Sequence, residues 1–275
     1  MDVVRLQETG LVRLQFHVDV QDAMGANLVN SVAEAIRPVA EQISGGQCLM
    51  AILSNASDGR IVTAAFTMPV ERLSRGGFTG EQVAKRIVAA SDLAQEDDSR
   101  AVTHNKGIMN GITALALATG NDTRALEAGM HRFASRTGKY RGLSRFALRN
   151  GNLEGTLVAP IAMGTLGGAM GIHPASRLAL RLLGDPTATE LSRIAAAVGL
   201  GQNLAALFAL VSEGIQHGHM GLHANRLAWI AGARGEERSA VVEGLRESGI
   251  YNGDEAKRIL SLIRDGVGRD SGAST

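Results

Sequence analysis

The sequence predicts an α+β protein in which a small, sheet-containing front part is joined to a larger, helix-rich part with a helical C-terminal end. Three observations predict this class. Apolar and polar residues alternate over residues 12–20, as in a half-buried strand. Apolar residues then recur every three or four positions over residues 28–43, which is the period of a helix. Alanine and leucine dominate residues 187–233, which indicates a region of helices.

The first sixty residues are expected to alternate between strand and helix. A turn signal before the first alternating run predicts that residues 3–7 form the other arm of a hairpin. Pro38 should kink the following helix or end its first half, and Gly45 with Gly46 should stop it. Two further strands are predicted, at residues 47–53 and 60–68.

Capping signals place helices in the middle of the chain. Thr79 with Gln82 forms a capping box for a helix that runs to about residue 93. Asn121 and Asp122 are suited to cap another helix, which Gly138 would terminate.

The later elements have equally local signals. Residues 153–160 are predicted to form a strand, and Pro174 suits the first turn of a helix. Thr187 with Glu190 makes a second capping box, which opens the alanine- and leucine-rich helices. Asp254 is expected to begin a last, short helix.

Composition excludes several functional classes. The net charge is +1 and aromatic residues make up 3% of the chain, which gives no basis for nucleic-acid binding. Cys48 is the single cysteine, so a disulfide framework and a multi-cysteine metal site within the chain are excluded. No uninterrupted apolar run reaches the roughly 18 residues of a membrane span, and the start does not resemble a signal peptide. We therefore expect no membrane association and a cytoplasmic location.

The first motif with chemical potential is DAMGAN, at residues 22–27, between a predicted strand and a predicted helix. Backbone N–H groups at a helix N-terminus after a strand can hold a pyrophosphate. The motif is not the usual GxGxxG pattern, and Gly25 has an alternative explanation in close packing.

The second motif combines THNKGIMNG, at residues 103–111, with ATGND, at residues 118–122. Lys106 and Asp122 are predicted to lie in polar, glycine-flanked turns between apolar helices. The alternative is a surface loop in which Asp122 only caps a helix.

The third motif is GHMGLH, at residues 218–223, in a strongly helical region. His219 and His223 have the spacing of a two-histidine metal site. Because no HExxH pattern or cysteine offers the third ligand that zinc enzymes need, we expect no metal. A structural role for these histidines is the plainer alternative.

Four segments in this order, DAMGAN, HNKGIMNG, ATGND and GHMxLH, resemble the signature segments of 3-hydroxy-3-methylglutaryl-CoA reductases. The resemblance extends over residues 18–235, and Ala26 and the lack of a membrane anchor favour class II. It implies a partial, mixed-sheet NAD(P)-binding domain at residues 1–58, a large α/β substrate and CoA domain at 59–212, and a helical flap at 213–275. It also implies a homodimer with sites at the subunit interface.

The family reduces a CoA thioester to mevalonate and CoA with NAD(H) or NADP(H), or runs the reverse oxidation. The resemblance implies that Lys106 binds the reacting oxygen, Asp122 keeps that lysine charged, and His219 protonates the departing thiolate. It implies substrate contacts at Arg100, Asn110 and Gln202. It implies dinucleotide contacts at Asp22, Met24, Gly25, Asn27 and Asn55.

The departure from the family pattern is at the front. The family has an essential glutamate in an ENVIG-like segment upstream of DAMGAN, and before residue 18 the sequence offers only Glu8. A chain that opens on a strand also leaves a sheet edge uncovered, which indicates a missing upstream segment or a separate N-terminal chain. We therefore expect little activity from this chain alone. The alternatives are a non-catalytic dimerisation partner of the same family and a different CoA- or NAD-binding enzyme with this fold.

Overall fold

The computed structural model describes residues 1–168, 172–212 and 214–270, with the backbone alone for residues 215–222 and 266–270. The strands are β1 (Asp2–Arg5), β2 (Val12–Gln15), β3 (Ile61–Pro69), β4 (Ser144–Arg149) and β5 (Asn152–Pro160). The helices are α1 (Ala26–Ser44), α2 (Gly80–Glu96), α3 (Asp98–Ala118), α4 (Thr123–Ala134), α5 (Pro174–Leu182), α6 (Ala188–Val211), α7 (Ile215–Ala231), α8 (Glu236–Ser248) and α9 (Gly253–Asp270). A short 3₁₀ helix, Val70–Leu73, follows β3.

The tertiary contacts divide the chain into two compact units. The first comprises Met1–Ser74 and Thr79–Leu207, and the second comprises Arg75–Phe78 and Phe208–Thr275. Residues 1–58 belong to the same unit as most of the predicted substrate domain. The functional division at residues 58 and 212 stays a prediction.

The N-terminal hairpin forms as predicted, but it is shorter and more exposed. β1 and β2 pair antiparallel, with Asp2 opposite Gln15 and Arg5 opposite Val12. The second strand ends at Gln15, and seven of the eight strand residues are exposed. The prediction of a half-buried strand was wrong for the described residues, because burial depends on a packing partner and not on alternation alone.

α1 confirms the helical period of residues 28–43, and it runs through Pro38 without ending there. It ends at Gly45, which adopts the left-handed conformation and donates its N–H to Glu41 O. Residues 47–53 do not form the predicted strand. Side chains of α1 bind this segment instead, since Leu53 N donates to Asn30 Oδ1 at 2.8 Å and Cys48 N donates to Glu41 Oε1 at 2.8 Å.

The central sheet has the order β3-β5-β4 and is antiparallel throughout. β4 and β5 form a hairpin whose two-residue turn is Asn150-Gly151, both with positive φ, as a type I′ turn requires. β4 was not predicted, although the Asn-Gly pair was a usable signal. Within the described residues both sheets are antiparallel, so the mixed sheet expected for the front part is not seen there.

The helices of the middle region confirm the capping signals. Thr79 forms both hydrogen bonds of the capping box with Gln82 at the start of α2. Thr187 and Glu190 pair in the same way before α6. α2 packs on β4 and α4 on β5, and the core of this unit contains the fully buried side chains of Ile87, Ile108, Ile112, Met130, Leu153, Leu157 and Leu191.

α3 corrects the prediction for the second motif. It is one continuous helix from Asp98 to Ala118, so Lys106 lies inside a helix and not in a turn. α4 begins after Asp122 as predicted, and it ends at Ala134, four residues before Gly138.

α6 is long and apolar enough to span a membrane by length and composition alone, with a mean hydropathy of 1.9. The core helix of a soluble protein meets the same criterion, and α6 buries Leu191, Ala195, Ala196 and Leu207 completely. Its buried Asn203 is hydrogen-bonded inside the protein. These features favour a core helix.

The second unit has its own apolar core, formed between α7, α8 and α9. α8 was not predicted, and α9 has 18 residues, so the last helix is longer than expected.

Candidate active site

One exposed face of α3 presents the polar residues of the second motif. Lys106 and Asn110 are four residues apart, so their side chains lie on the same face. Both residues are exposed, and within the described part of the chain neither side chain forms a hydrogen bond or ion pair. Val102 and Leu117, which are 52% and 66% exposed, extend this face to either side. Arg100 lies one turn before His104 and about 120° around the helix from Lys106, so α3 does not place these two side chains on one face.

A close crossing of α3 and α6 brings Gln202 to this face. Gly111 lies at this crossing, since a methyl group there would lie 3.0 Å from the Val198 side chain and 3.1 Å from Gln202 Cβ, and the two helices would have to shift by a few tenths of an ångström. Gln202 is exposed and therefore lies beside the turn of α3 that contains Asn110. The structure thus places Gln202 of α6 beside Gly111, the residue after Asn110 on α3, while Lys106 lies five residues earlier on the same helix.

A buried hydrogen-bond network fixes the crossing from the inside. The Ser144 hydroxyl donates to Asn203 Oδ1 at 2.7 Å, and Asn203 Nδ2 donates to the His104 carbonyl at 3.3 Å. Because the hydroxyl proton of Ser144 is used in this way, His104 Nε2 is the donor to Ser144 Oγ at 2.6 Å. Burial and then the nearby Arg100 charge lower the pKa of His104 to about 4, which agrees with a neutral ring.

Asp122 is the N-cap of α4. Its Oδ1 accepts hydrogen bonds from Arg124 N and Ala125 N, both at 3.0 Å. Within the described residues no ion pair joins Asp122 to Lys106. The side chain is exposed, so its second oxygen remains accessible beside the cap.

The DAMGAN loop forms the start of α1. Gly25 is the N-cap at φ 103°, where a side chain would be strained, and a Cβ there would lie 2.6 Å from the Val20 side chain. The close-packing explanation of Gly25 is therefore correct, which leaves a ligand contact of its backbone as a prediction. No side chain caps α1, and its first turn contains no acidic residue. Within the described residues, the first N–H groups of α1 therefore have no side-chain cap and no carboxylate in their own turn.

Asp22 has structural partners on both its backbone and its side chain. Its Oδ1 accepts a hydrogen bond from Ala188 N at 2.8 Å, at the start of α6. Its carbonyl accepts from Thr165 N at 2.8 Å and from Leu166 N at 3.2 Å. A cofactor contact by Asp22 remains a prediction, and the structure gives it the role of anchoring the loop.

Arg60, which the sequence did not single out, binds this loop to the end of the sheet. Its Nη1 donates to the carbonyls of Ala23 and Met24 at 3.3 and 3.4 Å, and its Nη2 donates to Met163 O at 2.5 Å. Burial lowers the pKa of Arg60, and the charge of Asp19 opposes that effect. The sequence could not indicate this role, because the carbonyls that Arg60 binds lie 36 to 103 residues away in the sequence.

Asn55 lies in an exposed turn that packs on α4. Its carbonyl oxygen is so close to Gly129 that a Cβ there would lie 2.8 Å from it. Arg132 of α4 forms an ion pair with Asp58 in the same turn. α4, the helix that Asp122 caps, therefore also contacts the turn that contains Asn55.

The predicted acid His219 lies in α7, in the second unit, and its side chain is outside the described residues. The two-histidine alternative depends on that same side chain. The structure therefore leaves both explanations of His219 as predictions.

The sequence matches the family "Hydroxymethylglutaryl-coenzyme A reductase" over residues 1–224. The 3-hydroxy-3-methylglutaryl-coenzyme A reductase of Archaeoglobus fulgidus is 47% identical over 248 residues, which cover 90% of this chain and 56% of that relative. A probable enzyme of the same name from Borreliella burgdorferi is 39% identical, covering 94% of this chain and 61% of its own length. The chain thus spans about three fifths of the length of these relatives.

Solved structures agree with the sequence relatives. The 3-hydroxy-3-methylglutaryl-coenzyme A reductase of Streptococcus pneumoniae superposes with a TM-score of 0.69 at 47% identity, covering 89% of this chain and 59% of that one. A structure described as the class II enzyme of that organism bound to NADPH in open conformations also has a TM-score of 0.69, at 48% identity and covering 90% of this chain and 60% of its own. The chain belongs to the hydroxymethylglutaryl-coenzyme A reductase family and is similar to its class II members.

Proposed function

We propose that this chain supplies most of the active site of an enzyme that reduces 3-hydroxy-3-methylglutaryl-CoA to mevalonate and CoA with NAD(P)H, or catalyses the reverse oxidation. The observation that carries the proposal is the exposed pair Lys106 and Asn110 on one face of α3, with Gln202 of α6 beside the adjacent Gly111. An exposed lysine and asparagine without partners in the described residues are suited to bind an anionic, hydroxylated substrate.

The DAMGAN loop and the turn of Asn55 fit a dinucleotide. The uncapped start of α1 offers N–H groups and the positive end of a helix dipole to a phosphate group. Met24, Gly25, Asn27 and Asn55 would hold the dinucleotide, while Asp22 holds the loop itself. When bound, the reduced nicotinamide supplies the hydride for each of the two reductive steps. NADPH bound to the S. pneumoniae structure supports this assignment.

In the proposed mechanism Lys106 donates a hydrogen bond to the oxygen that becomes negatively charged during reduction. An ammonium is a compact charge that suits such an oxygen. Asp122 keeps the ammonium charged and takes part in proton movement, which requires its accessible carboxylate oxygen to approach Lys106 in the complete site. Arg100, Asn110 and Gln202 bind the carboxylate and hydroxyl groups of the substrate.

His219 has the role of the acid in the first half of the reaction. Collapse of the hemithioacetal expels the CoA thiolate, and a thiol has a reference pKa of about 8.5. A histidine can donate the required proton near neutral pH. The helical region at residues 213–275 would then act as the flap that brings this residue to the substrate.

The remaining part of the site is proposed to come from the family segment that this chain lacks, on the same polypeptide or on a separate chain. Half of the exposed large apolar residues of the described structure lie in its first 52 residues, among them Val12, Leu14, Ile43, Leu49 and Met50. Such a surface favours coverage by further protein. A homodimer in the cytoplasm completes the proposal. A non-catalytic dimerisation partner of the same family is the alternative that the test below separates from the enzyme.

Product analysis tests the proposal. The chain is combined with the upstream segment of a close relative, and NAD(P)H oxidation with 3-hydroxy-3-methylglutaryl-CoA is followed while mevalonate and free CoA are quantified. Two NAD(P)H consumed for each mevalonate formed is the expected result. A folded, assembled complex that binds NAD(P)H and the thioester without turnover would favour the non-catalytic candidate.

A further inference from the structure

Asn121, the residue before Asp122, is buried and contacts Gly164, which packs on the DAMGAN loop. It is 8% exposed and hydrogen-bonds both backbone groups of Gly164. Gly164 N donates to Asn121 Oδ1 at 2.8 Å, and Asn121 Nδ2 donates to Gly164 O at 3.1 Å. Asn121 Nδ2 also donates to Thr119 Oγ1 at 3.0 Å, which fixes the orientation of the amide.

Gly164 in turn is packed against the DAMGAN loop. A Cβ at Gly164 would overlap the backbone nitrogen of Met24 and the carbonyl carbon of Ala23. The next two residues continue the contact, because Ala23 and Leu166 form a parallel bridge and Thr165 donates to Asp22 O. The position of residues 22–24 therefore depends on the position of residues 164–166.

We propose that Asn121 is a positioning residue that couples Asp122 to the dinucleotide loop, acting through Gly164. This inference rests on the proposed functions of Asp122 and of the DAMGAN loop. The coupling needs a short side chain with one donor and one acceptor, because it must bind an N–H and a carbonyl of the same residue. Alanine would leave both backbone groups of Gly164 unpaired in a buried place, while aspartate would keep only the acceptor.

Asn105 provides a matched control. Asn105 is also a buried asparagine of the same unit. Its amide likewise binds two backbone groups, since Nδ2 donates to Arg141 O at 2.9 Å and Oδ1 accepts from Leu143 N at 2.8 Å. Neither partner lies near residues 22–27 in the sequence or has a described contact with them. A general loss of packing should therefore affect Asn105→Ala as much as Asn121→Ala.

Amide hydrogen exchange on the isolated chain tests the coupling without reference to catalysis. In Asn121→Ala we expect the amide of Gly164 to exchange about tenfold faster or more, since its buried hydrogen bond to Asn121 is lost. The amides of Thr165 and Leu166, which donate to Asp22 O, should exchange faster because the segment that holds them is loosened. The amide of Ala23 should follow. In Asn105→Ala these amides should keep their wild-type rates. Unchanged protection at residues 164–166 in a folded Asn121→Ala variant, or equal loss in both variants, would overturn the coupling.

Steady-state kinetics of the completed enzyme tests the consequence for the site. Asn121→Ala should raise KM for NAD(P)H about tenfold and lower kcat, with KM for the CoA thioester changed less than about twofold. Asn121→Asp should lie between alanine and wild type. Equal changes in both KM values, or the same selective change in Asn105→Ala, would contradict a positioning role. An inactive wild-type complex would instead refute the proposed function, while the exchange experiment would still decide the coupling.

Discussion

Gly164 and Asn121 are joined by two hydrogen bonds of opposite direction, although 43 residues separate them in the sequence. Through this pair the start of α4, where Asp122 is the N-cap, is connected to the loop that begins α1. The contact lies within one compact unit and involves buried atoms. The Asp122 carboxylate and the DAMGAN loop, which are remote in sequence, are therefore connected through this contact.

Asp122 has a structural and a proposed chemical role, and two substitutions separate them. Asp122→Asn keeps an oxygen that can accept from Arg124 N and Ala125 N, so the free energy of unfolding should change by less than about 0.5 kcal/mol. Asp122→Ala removes the cap and should cost about 1 kcal/mol. In the completed enzyme both variants should lose about 10²-fold or more in kcat. Urea unfolding with parallel kinetics checks this, and an active Asp122→Asn variant would reduce Asp122 to a helix cap.

Part of this architecture could be predicted from the sequence because its causes are local. The capping boxes at Thr79 and Thr187 and the cap at Asp122 each depend on residues within three positions of one another. The Gly111 position shows where local signals fail. The glycines that flank Lys106 and Asn110 led to the prediction of a turn, but Gly111 lies inside α3 at its close contact with α6.

The buried polar contacts could not be predicted, because their partners are distant in sequence. His104 and Ser144 are 40 residues apart, and Arg60 binds the Met163 carbonyl across 103 residues. Single-residue patterns contain no information about such pairs. The proposed roles of Lys106 and Gln202 came only from the family resemblance, and the structure adds that Gln202 of α6 lies beside Gly111 of α3.

Acid should destabilise the first unit through His104. The pKa of His104 is about 4 in the folded protein, lowered from 6.5 by burial and by Arg100. The unfolded state therefore binds the proton more readily, so the stabilisation is complete above about pH 6.5 and is lost as the pH falls to 4. The contribution is about 3 kcal/mol. Urea unfolding from pH 7 to 4 should show a shallower pH dependence in His104→Gln than in wild type, and an equal pH dependence in both would exclude His104 as the cause.

Lys106→Ala should abolish both reductive steps and leave the fold intact. Each step develops negative charge on an oxygen, and loss of a positioned donor costs about 10²–10³-fold in kcat. Lys85→Ala is the matched control, because Lys85 is an exposed lysine on α2 that pairs only with Glu81 at 2.7 Å. Rates are measured with the CoA thioester and with free mevaldehyde on the completed enzyme. A Lys106→Ala variant that keeps more than about a tenth of the activity would make Lys106 an exposed helix residue without a catalytic role.

His219→Gln should lose most activity on the CoA thioester but keep substantial reduction of free mevaldehyde, because only the first reaction expels sulfur. His223→Gln, one turn later on α7, is the control and should leave the ratio of the two rates unchanged. The two substrates are measured on the same preparation, with and without chelator. Equal losses on both substrates would exclude His219 as the thiolate acid, and chelator sensitivity would support the two-histidine metal site.

We propose that this chain holds Lys106, Asp122 and His219 of a reductase site, and that the glutamate of this site comes from a further segment. The most direct measurement is the rate of 3-hydroxy-3-methylglutaryl-CoA reduction by the 275-residue chain alone and after addition of the upstream segment. We predict that the chain alone is slower by about 10²–10⁴-fold, the typical effect of losing an acid or base, and that the segment restores turnover. Equal, enzyme-like turnover with and without the segment would show that the upstream glutamate is not needed, because a residue of this chain would then replace it.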